Sequence, residues 1–253
     1  MIRIGGVPFG VGRPLLAGLE SAPGVQLTRA VPTQLVEGLR QGRLDAALVS
    51  SIEAVRQPGY RVVPGLGIAC REEIRSVRAF RRRGSPVRSV GLDASSATSV
   101  TLLRILLAGP RRSEVAPDCS FETIRPTRRP DDLPQDLVLL IGDDGLAAEA
   151  GTREVWDLGR EWRRWTGLPF VFAVWLLAPG ADAARITPLL QRAHEVGSRT
   201  GSGDGTEGAA HYVLDDNDIR GLRRFWHEAR QAGLAGPGAE PGFAGSEAEG
   251  HSR

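Results

Sequence analysis

The chain has no lysine, and its basic residues are all arginine. A Schiff-base lysine is therefore excluded from its chemistry. Asparagine occurs once, at Asn217, and methionine once. The two cysteines, Cys70 and Cys119, have no close Cys or His neighbour in sequence, which argues against a disulfide framework or a zinc site. The four histidines, His194, His211, His227 and His251, stand apart from the glycine- and serine-rich loops where a ligand would sit. No Ser-His-Asp order with a nucleophile elbow is present, and no metal-ligand spacing. The longest apolar run, 168–177, is too short to span a bilayer.

What is present describes an ordinary globular chain. It has 253 residues, 41% hydrophobic and 25% charged, with a formal net charge of +2. That length supports one large domain or two lobes. No basic block stands apart from acidic neighbours, so nucleic acid is not an expected partner. The start, MIRIGGV, enters a strand-like pattern without a charged and then apolar leader, which predicts a cytoplasmic protein with no membrane partner. The sequence leaves the oligomeric state open.

Strand and helix patterns alternate from the start. Apolar runs at 2–7, 25–31 and 44–49 read as strands, with helices near 15–19 and 32–39 between them. Pro32 opens the second helix and Gly42 follows its end. Strands are predicted at 62–70, 74–80, 87–92, 119–124 and 137–142, and helices at 100–107, 143–150, 182–198 and 216–232, with Asp216 or Asp218 near the last cap. This pattern is α/β with largely parallel sheets. The segment DLGREWRRWTGLPFVFAVW, 157–175, joins a helix bearing Trp162 and Trp165 to a strand apolar on both faces. Such a strand can return the chain from one half of a protein to the other; the tryptophans alone are equally explained as core. Two hinged lobes follow: 1–88 with 172–234, and 89–171. Gly201–Gly208 reads as a flexible polar loop and 235–253 as a disordered tail.

Ligands of such sheets sit at the carboxyl ends of strands. DASSATS, 93–99, lies between a strand and a helix. Its hydroxyls and the free N–H groups of a helix start suit a carboxylate or phosphate; a plain N-cap needs only one of them. LLIGDD, 139–144, ends a buried strand in acids, which fits a site residue or a helix cap. The loop Pro8–Pro14 follows the first strand but lacks a dinucleotide fingerprint. The residues alone point to a two-lobed binder of a small anion.

These stretches resemble the chorismate dehydratase family of the futalosine route to menaquinone. DLGREWRRWTGLPFVFAVW carries most of the resemblance. LDAALVSSIEAVR, VPGLGIAC with RSV, LDASSATSVTLLRILL, LLIGD and GLRRFWHEARQAGL add to it in family order. The resemblance implies the periplasmic-binding-protein type II fold and the conversion of chorismate to 3-[(1-carboxyvinyl)oxy]benzoate. A divergent lyase or synthase of the same route, or a non-catalytic binder of a small cyclic carboxylate, are the alternatives. No cofactor or metal is implied. Ser95, Ser96, Thr98 and Ser99 are the expected carboxylate contacts, with Ser51 and Ser76 beside them. Phe9, Val11, Arg13, Asp143 and Phe170 complete the expected pocket. Ser95, Ser96 and Asp143 are the candidates for the chemistry, with Glu161 a further acid and a substrate carboxylate the alternative proton acceptor. The chain departs from the family where members carry Asn, here Val11, then a hydroxyl, here Gly12, and a basic residue, here Ala97.

Overall fold

The fold is taken from a computed structural model, which describes residues 1–199, 210–238 and 240–245. In chain order the elements are β1 (Ile2–Gly6), α1 (Arg13–Leu16), β2 (Val25–Arg29), α2 (Pro32–Arg40), β3 (Ala46–Ser50), α3 (Glu53–Arg56) and β4 (Arg61–Cys70). Next come β5 (Val77–Arg81), β6 (Val87–Leu92), α4 (Ala97–Ala108), β7 (Val115–Thr123), β8 (Leu137–Ile141), α5 (Gly142–Ala147), β9 (Glu154–Asp157) and α6 (Leu158–Thr166). The last are β10 (Phe170–Leu177), α7 (Ala183–Arg199), β11 (Ala210–Val213), α8 (Asp216–Gln231) and β12 (Gly242–Phe243).

Among the described residues the strands form two sheets. One runs β11-β4-β10-β3-β1-β2 with β12 beside β4, and the other β7-β6-β8-β5-β9. β1 pairs parallel with β2 and β3, as alternating strands and helices require, while β10 enters antiparallel between β3 and β4. Its position explains its composition. A strand paired on both edges and covered on both faces has no solvated side, and seven of its eight residues are buried.

The chain leaves the first sheet after Cys70 and joins the second at Val77; it returns between Thr166 and Phe170. The first crossing therefore lies well before the expected boundary at residue 88. β5 pairs with β8 and β9, so 77–88 belongs with the second sheet. Two edge elements, β9 and β11, are too short to give a sequence period and were not expected. The tail also differs from expectation. Gly242–Phe243 pairs in parallel with Arg61–Val62, and Arg223 holds it by an ion pair to Glu240 and by stacking over Phe243. The segment 201–208 and residues 246–253 lie outside the described residues.

The two crossings are fastened together by α6. Asp157 caps this helix, accepting from the Arg160 N–H at 3.0 Å. The same carboxylate accepts from the N–H groups of Ile74 and Arg75, at 3.1 and 2.7 Å. Arg75 stands at φ 63, a left-handed conformation that L side chains rarely take, and the clamp holds it there. Glu73 pairs with Arg75 and Arg160. Gly159 leaves no room for a side chain: a Cβ there would run into the Cys70 sulfur. Gly167, at φ 72, ends the helix in the left-handed conformation that glycine adopts without penalty.

Behind the second crossing sits an aromatic cluster. Trp162 is fully buried and donates its indole N–H to the Pro169 carbonyl at 3.0 Å. Its ring meets Phe170 edge-on at 5.2 Å and Phe225 at 6.2 Å, and Phe170 meets Phe172 at 4.6 Å. Such contacts add about 0.5–1.5 kcal/mol each beyond the area they bury.

Candidate functional site

A cavity of about 260 Å³ opens between the two sheets. The first sheet contributes Val7, Phe9 and Val11 after β1, Val49 and Ser50 at the end of β3, Ile68 of β4, and Phe172 and Ala173 of β10. Facing them are Ser76 and Val77 at the start of β5, Asp93, Ser95 and Ser96 between β6 and α4 with Ser99 in the first turn of α4, and Ile141 to Asp144 where β8 runs into α5. The strand ends and a helix start converge here, as in open α/β sheets generally.

The DASSATS loop is built around Asp93, which is 2% exposed. One carboxylate oxygen accepts from the Ser95 N–H at 2.9 Å and the other from the Ile141 N–H at 3.0 Å. Asp93 thus ties the loop to the end of β8, with one hydrogen bond accepted by each oxygen. Ser96 caps α4, its hydroxyl oxygen accepting from the Ser99 N–H at 3.3 Å and the Ser99 hydroxyl at 3.0 Å. The Ser96 hydroxyl proton remains to be donated to a ligand. The hydroxyls of Ser50, Ser76 and Ser95 have no hydrogen bond to another described residue and face the same cavity. Hydroxyl donors over an apolar floor, with the amino end of a twelve-residue helix behind them, suit a flat ligand carrying a carboxylate.

Of the expected site residues, the fold brings together Phe9, Val11, Ser76, Ser95, Ser96, Ser99 and Asp143. Four lie elsewhere. Thr98 is fully buried and accepts from the Ile52 N–H at 3.1 Å. Ser51 is equally buried and donates to the Val171 carbonyl at 2.7 Å. These two hydroxyls, 3.3 Å apart, join the sheets behind the cavity wall. Arg13 is exposed on α1, and Phe170 turns into the aromatic cluster, leaving Phe172 two residues on to face the ligand space. Ser50 and Asp93 were missed as site residues. The strand end at Ser50 was one residue later than its apolar run suggested, and an acid before a serine run reads as a cap.

Glu161 is also remote: buried on α6, it binds Arg111 at 2.6 Å and Arg164 at 3.1 Å. Asp144 pairs with Arg128 at 3.2 Å, while Asp143 stands exposed at the cavity mouth. No His, Arg or Cys is on the wall of this cavity among the described residues. Cys70 lies outside it, and burial pushes its thiol far above the usual range, so it offers no thiolate. His211 binds the buried Asp218 at 2.9 Å, across the first sheet's edge. Among the described residues no group of three or more His, Cys, Asp or Glu could hold a metal ion, and no helix is long and apolar enough to cross a membrane.

Two α/β lobes with a cleft at their strand ends define a protein of the periplasmic-binding-protein type. The same fold is found in the aliphatic sulphonate binding protein SsuA from Escherichia coli, at TM-score 0.63 and 13% identity over 94% of each chain. Protein AF1704 from Archaeoglobus fulgidus is similar at TM-score 0.64 and 13% identity, over 92% of this chain and 98% of its own. These likenesses concern the fold alone. Within it, the chain belongs to the menaquinone biosynthesis family, whose model matches residues 2–228. It is 34% identical over 175 residues to chorismate dehydratase from Thermus thermophilus, covering 60% of this chain and 61% of that one. It is 29% identical over 150 residues to chorismate dehydratase from Campylobacter jejuni, covering 59% and 52%. The matched region thus spans between half and two thirds of these relatives.

Proposed function

We propose that this chain eliminates water from chorismate, giving 3-[(1-carboxyvinyl)oxy]benzoate. The observation that carries the reading is the set of hydroxyls with a proton left to donate, Ser50, Ser76, Ser95 and the capping Ser96, around an apolar cavity at the amino end of α4. A cyclic dicarboxylate needs such a site: apolar walls for the ring and preset donors for a carboxylate. The relatives named chorismate dehydratase support the choice of substrate. In the reaction a ring C–H bond and the neighbouring C–O bond break. The C–H electron pair joins the ring π system, and the hydroxyl leaves with the proton as water. Aromatisation makes the step strongly downhill, so holding the groups in place is most of the catalytic task.

The protein offers few bases for that proton. Asp93 is engaged by two backbone N–H groups and Asp144 by Arg128. The substrate's own carboxyvinyl carboxylate takes the proton in this reading, while the serine hydroxyls fix the ring carboxylate. Asp143→Asn then keeps most turnover; turnover abolished with binding intact makes Asp143 the base and refutes this step. The reaction itself is tested by incubating the chain with chorismate and following products by chromatography and mass. Carboxyvinyloxybenzoate forming above the enzyme-free rate is expected. Unchanged chorismate that raises Tm favours a second reading, a non-catalytic binder of a cyclic carboxylate. The observation behind that second reading is Val11, whose apolar side chain lines the cavity where an amide would have supplied a polar contact. A folded chain indifferent to chorismate refutes both.

A further inference from the structure

The cavity presents a charge imbalance. Its charged wall residues are Asp93, Asp143 and Asp144, all acids, yet the ligand proposed for it is a dianion. A second cavity adjoins it. This annex is lined by Arg40 of α2, Glu53 and Arg56 of α3, and Ala94 and Ala97 on the opposite side of the cleft, and it shares Pro32, Ser50 and Ser95 with the main cavity. The two spaces therefore meet along Ser50 and Ser95, one hydroxyl from each sheet's strand ends.

The annex is built around Glu53, whose side chain is only 7% exposed. Arg56 holds one of its oxygens at 2.6 Å. Arg40 reaches the other only at 3.8 Å, and reaches Glu37 on its own helix only at 3.9 Å. The burial of an acid between two arginines keeps both guanidinium groups beside the cleft. Arg40, beyond hydrogen-bond distance of either acid, also neighbours the Tyr60 hydroxyl, and its five guanidinium N–H groups leave donors for a further partner. Across from the arginines, on the second sheet's side, the annex is lined by small residues, Ala94, Ser95 and Ala97.

We infer that Arg40 and Arg56 form a carboxylate subsite of the same cleft, with Arg40 making the direct contact and Arg56 positioned by Glu53. A ligand with two carboxylates places one at Ser95 and Ser96 and the other in the annex; a monocarboxylate uses the first alone. The inference rests on the proposed function for the identity of the ligand, but selectivity for a second carboxylate is a property of the site itself. Guanidinium groups suit that task because they present paired donors to a planar anion.

The test compares two stable probes, 3-(carboxymethoxy)benzoate and 3-methoxybenzoate, by calorimetric titration of the full chain. The wild-type chain is expected to bind the diacid at least tenfold more tightly, the scale of one charge-assisted contact. Arg40→Gln should erase about tenfold of that preference and leave the monoacid affinity unchanged. Arg56→Lys, which keeps the charge next to Glu53, should retain most of it, with thermal melting to confirm folding. Equal binding of the two probes by the wild-type chain, or a preference that survives Arg40→Gln, overturns the subsite. Chorismate turnover is read separately. A chain that prefers the diacid and leaves chorismate unchanged refutes the dehydratase reading alone, and one that converts chorismate but shows no diacid preference refutes the subsite alone.

Discussion

Replacing Asp157 by alanine should destabilise the whole chain, because this one carboxylate serves three backbone donors from two parts of the fold. It caps α6 at the Arg160 N–H and holds Ile74 and Arg75 in the crossing between the sheets. Losing an N-cap costs about 1 kcal/mol. Ile74 is 1% exposed, so its N–H loses a charged acceptor without gaining water, at about 2 kcal/mol. Arg75 is exposed and its N–H can be hydrated, which limits that loss to about 1 kcal/mol. Together these come to about 4 kcal/mol, a large fraction of a typical stability of roughly 5–15 kcal/mol. In urea denaturation with a slope of about 3 kcal/mol/M, the midpoint should fall by about 1.3 M. Asp157→Asn keeps one acceptor and should lose about half as much. A loss under about 1 kcal/mol for the alanine variant, or equal losses for the two, would refute the clamp. Released from left-handed strain at Arg75, the crossing would also loosen the cavity, so the surviving fraction should show a raised KM.

Other outcomes follow from the same contacts. Trp162→Ala empties the centre of the aromatic cluster and should cost about 3–5 kcal/mol, while Trp162→Phe, which mainly drops the bond to the Pro169 carbonyl, should cost about 1–2 kcal/mol, both read by denaturant melts. Ser96→Ala removes the α4 cap, lowering stability by about 1 kcal/mol, and should also weaken chorismate binding several-fold in titration calorimetry; a change in stability alone would leave Ser96 a cap and nothing more. Hydrogen bonding from Arg3 holds the Asp45 carboxyl below its usual value of 3.8 in the folded chain. A depressed folded value means the unfolded chain takes up the proton first, so this contribution is complete above about pH 3.8 and is lost as pH falls through the folded value. Asp45→Asn should therefore flatten the acid limb of a stability–pH curve and leave its slope near neutrality unchanged. Val11→Asn restores an amide at the cavity wall and should raise kcat/KM for chorismate; a folded variant with lower activity would show that the apolar wall is what this chain's ligand requires.

The sequence by itself determined the types and order of the longer elements, but not the short strands β9, β11 and β12. Patterns of period 2 and 3.6, with Pro, Gly and Ser at the boundaries, are local physics, and so the α/β class, the Pro32 start of α2 and the apolar strand β10 could be read from residues a few positions apart. The family segments placed the serine loop at the amino end of α4 for the same reason, since a cap and its helix are adjacent in the chain. Tertiary structure decided which of neighbouring, chemically similar residues face the ligand. Ser50 points into the cavity and Ser51 away from it because successive residues of a strand end project to opposite sides, and a pattern of two apolar faces around β3 conceals which side is which. Phe170 and Phe172, two positions apart, would share a face of a regular strand; the bulge in the pairing of β10 with β4 between Val171 and Ala173, with the packing of Trp162 against Phe170, sets one ring at the cavity and the other in the core. The crossing at 71–76 escaped notice because strands β4 and β5 read alike in sequence, and only pairing with β8 and β9 shows that the second belongs to another sheet. Arg40 and Arg56 stand far from Ala97 along the chain, and only the closing of the two sheets over one cleft makes them neighbours.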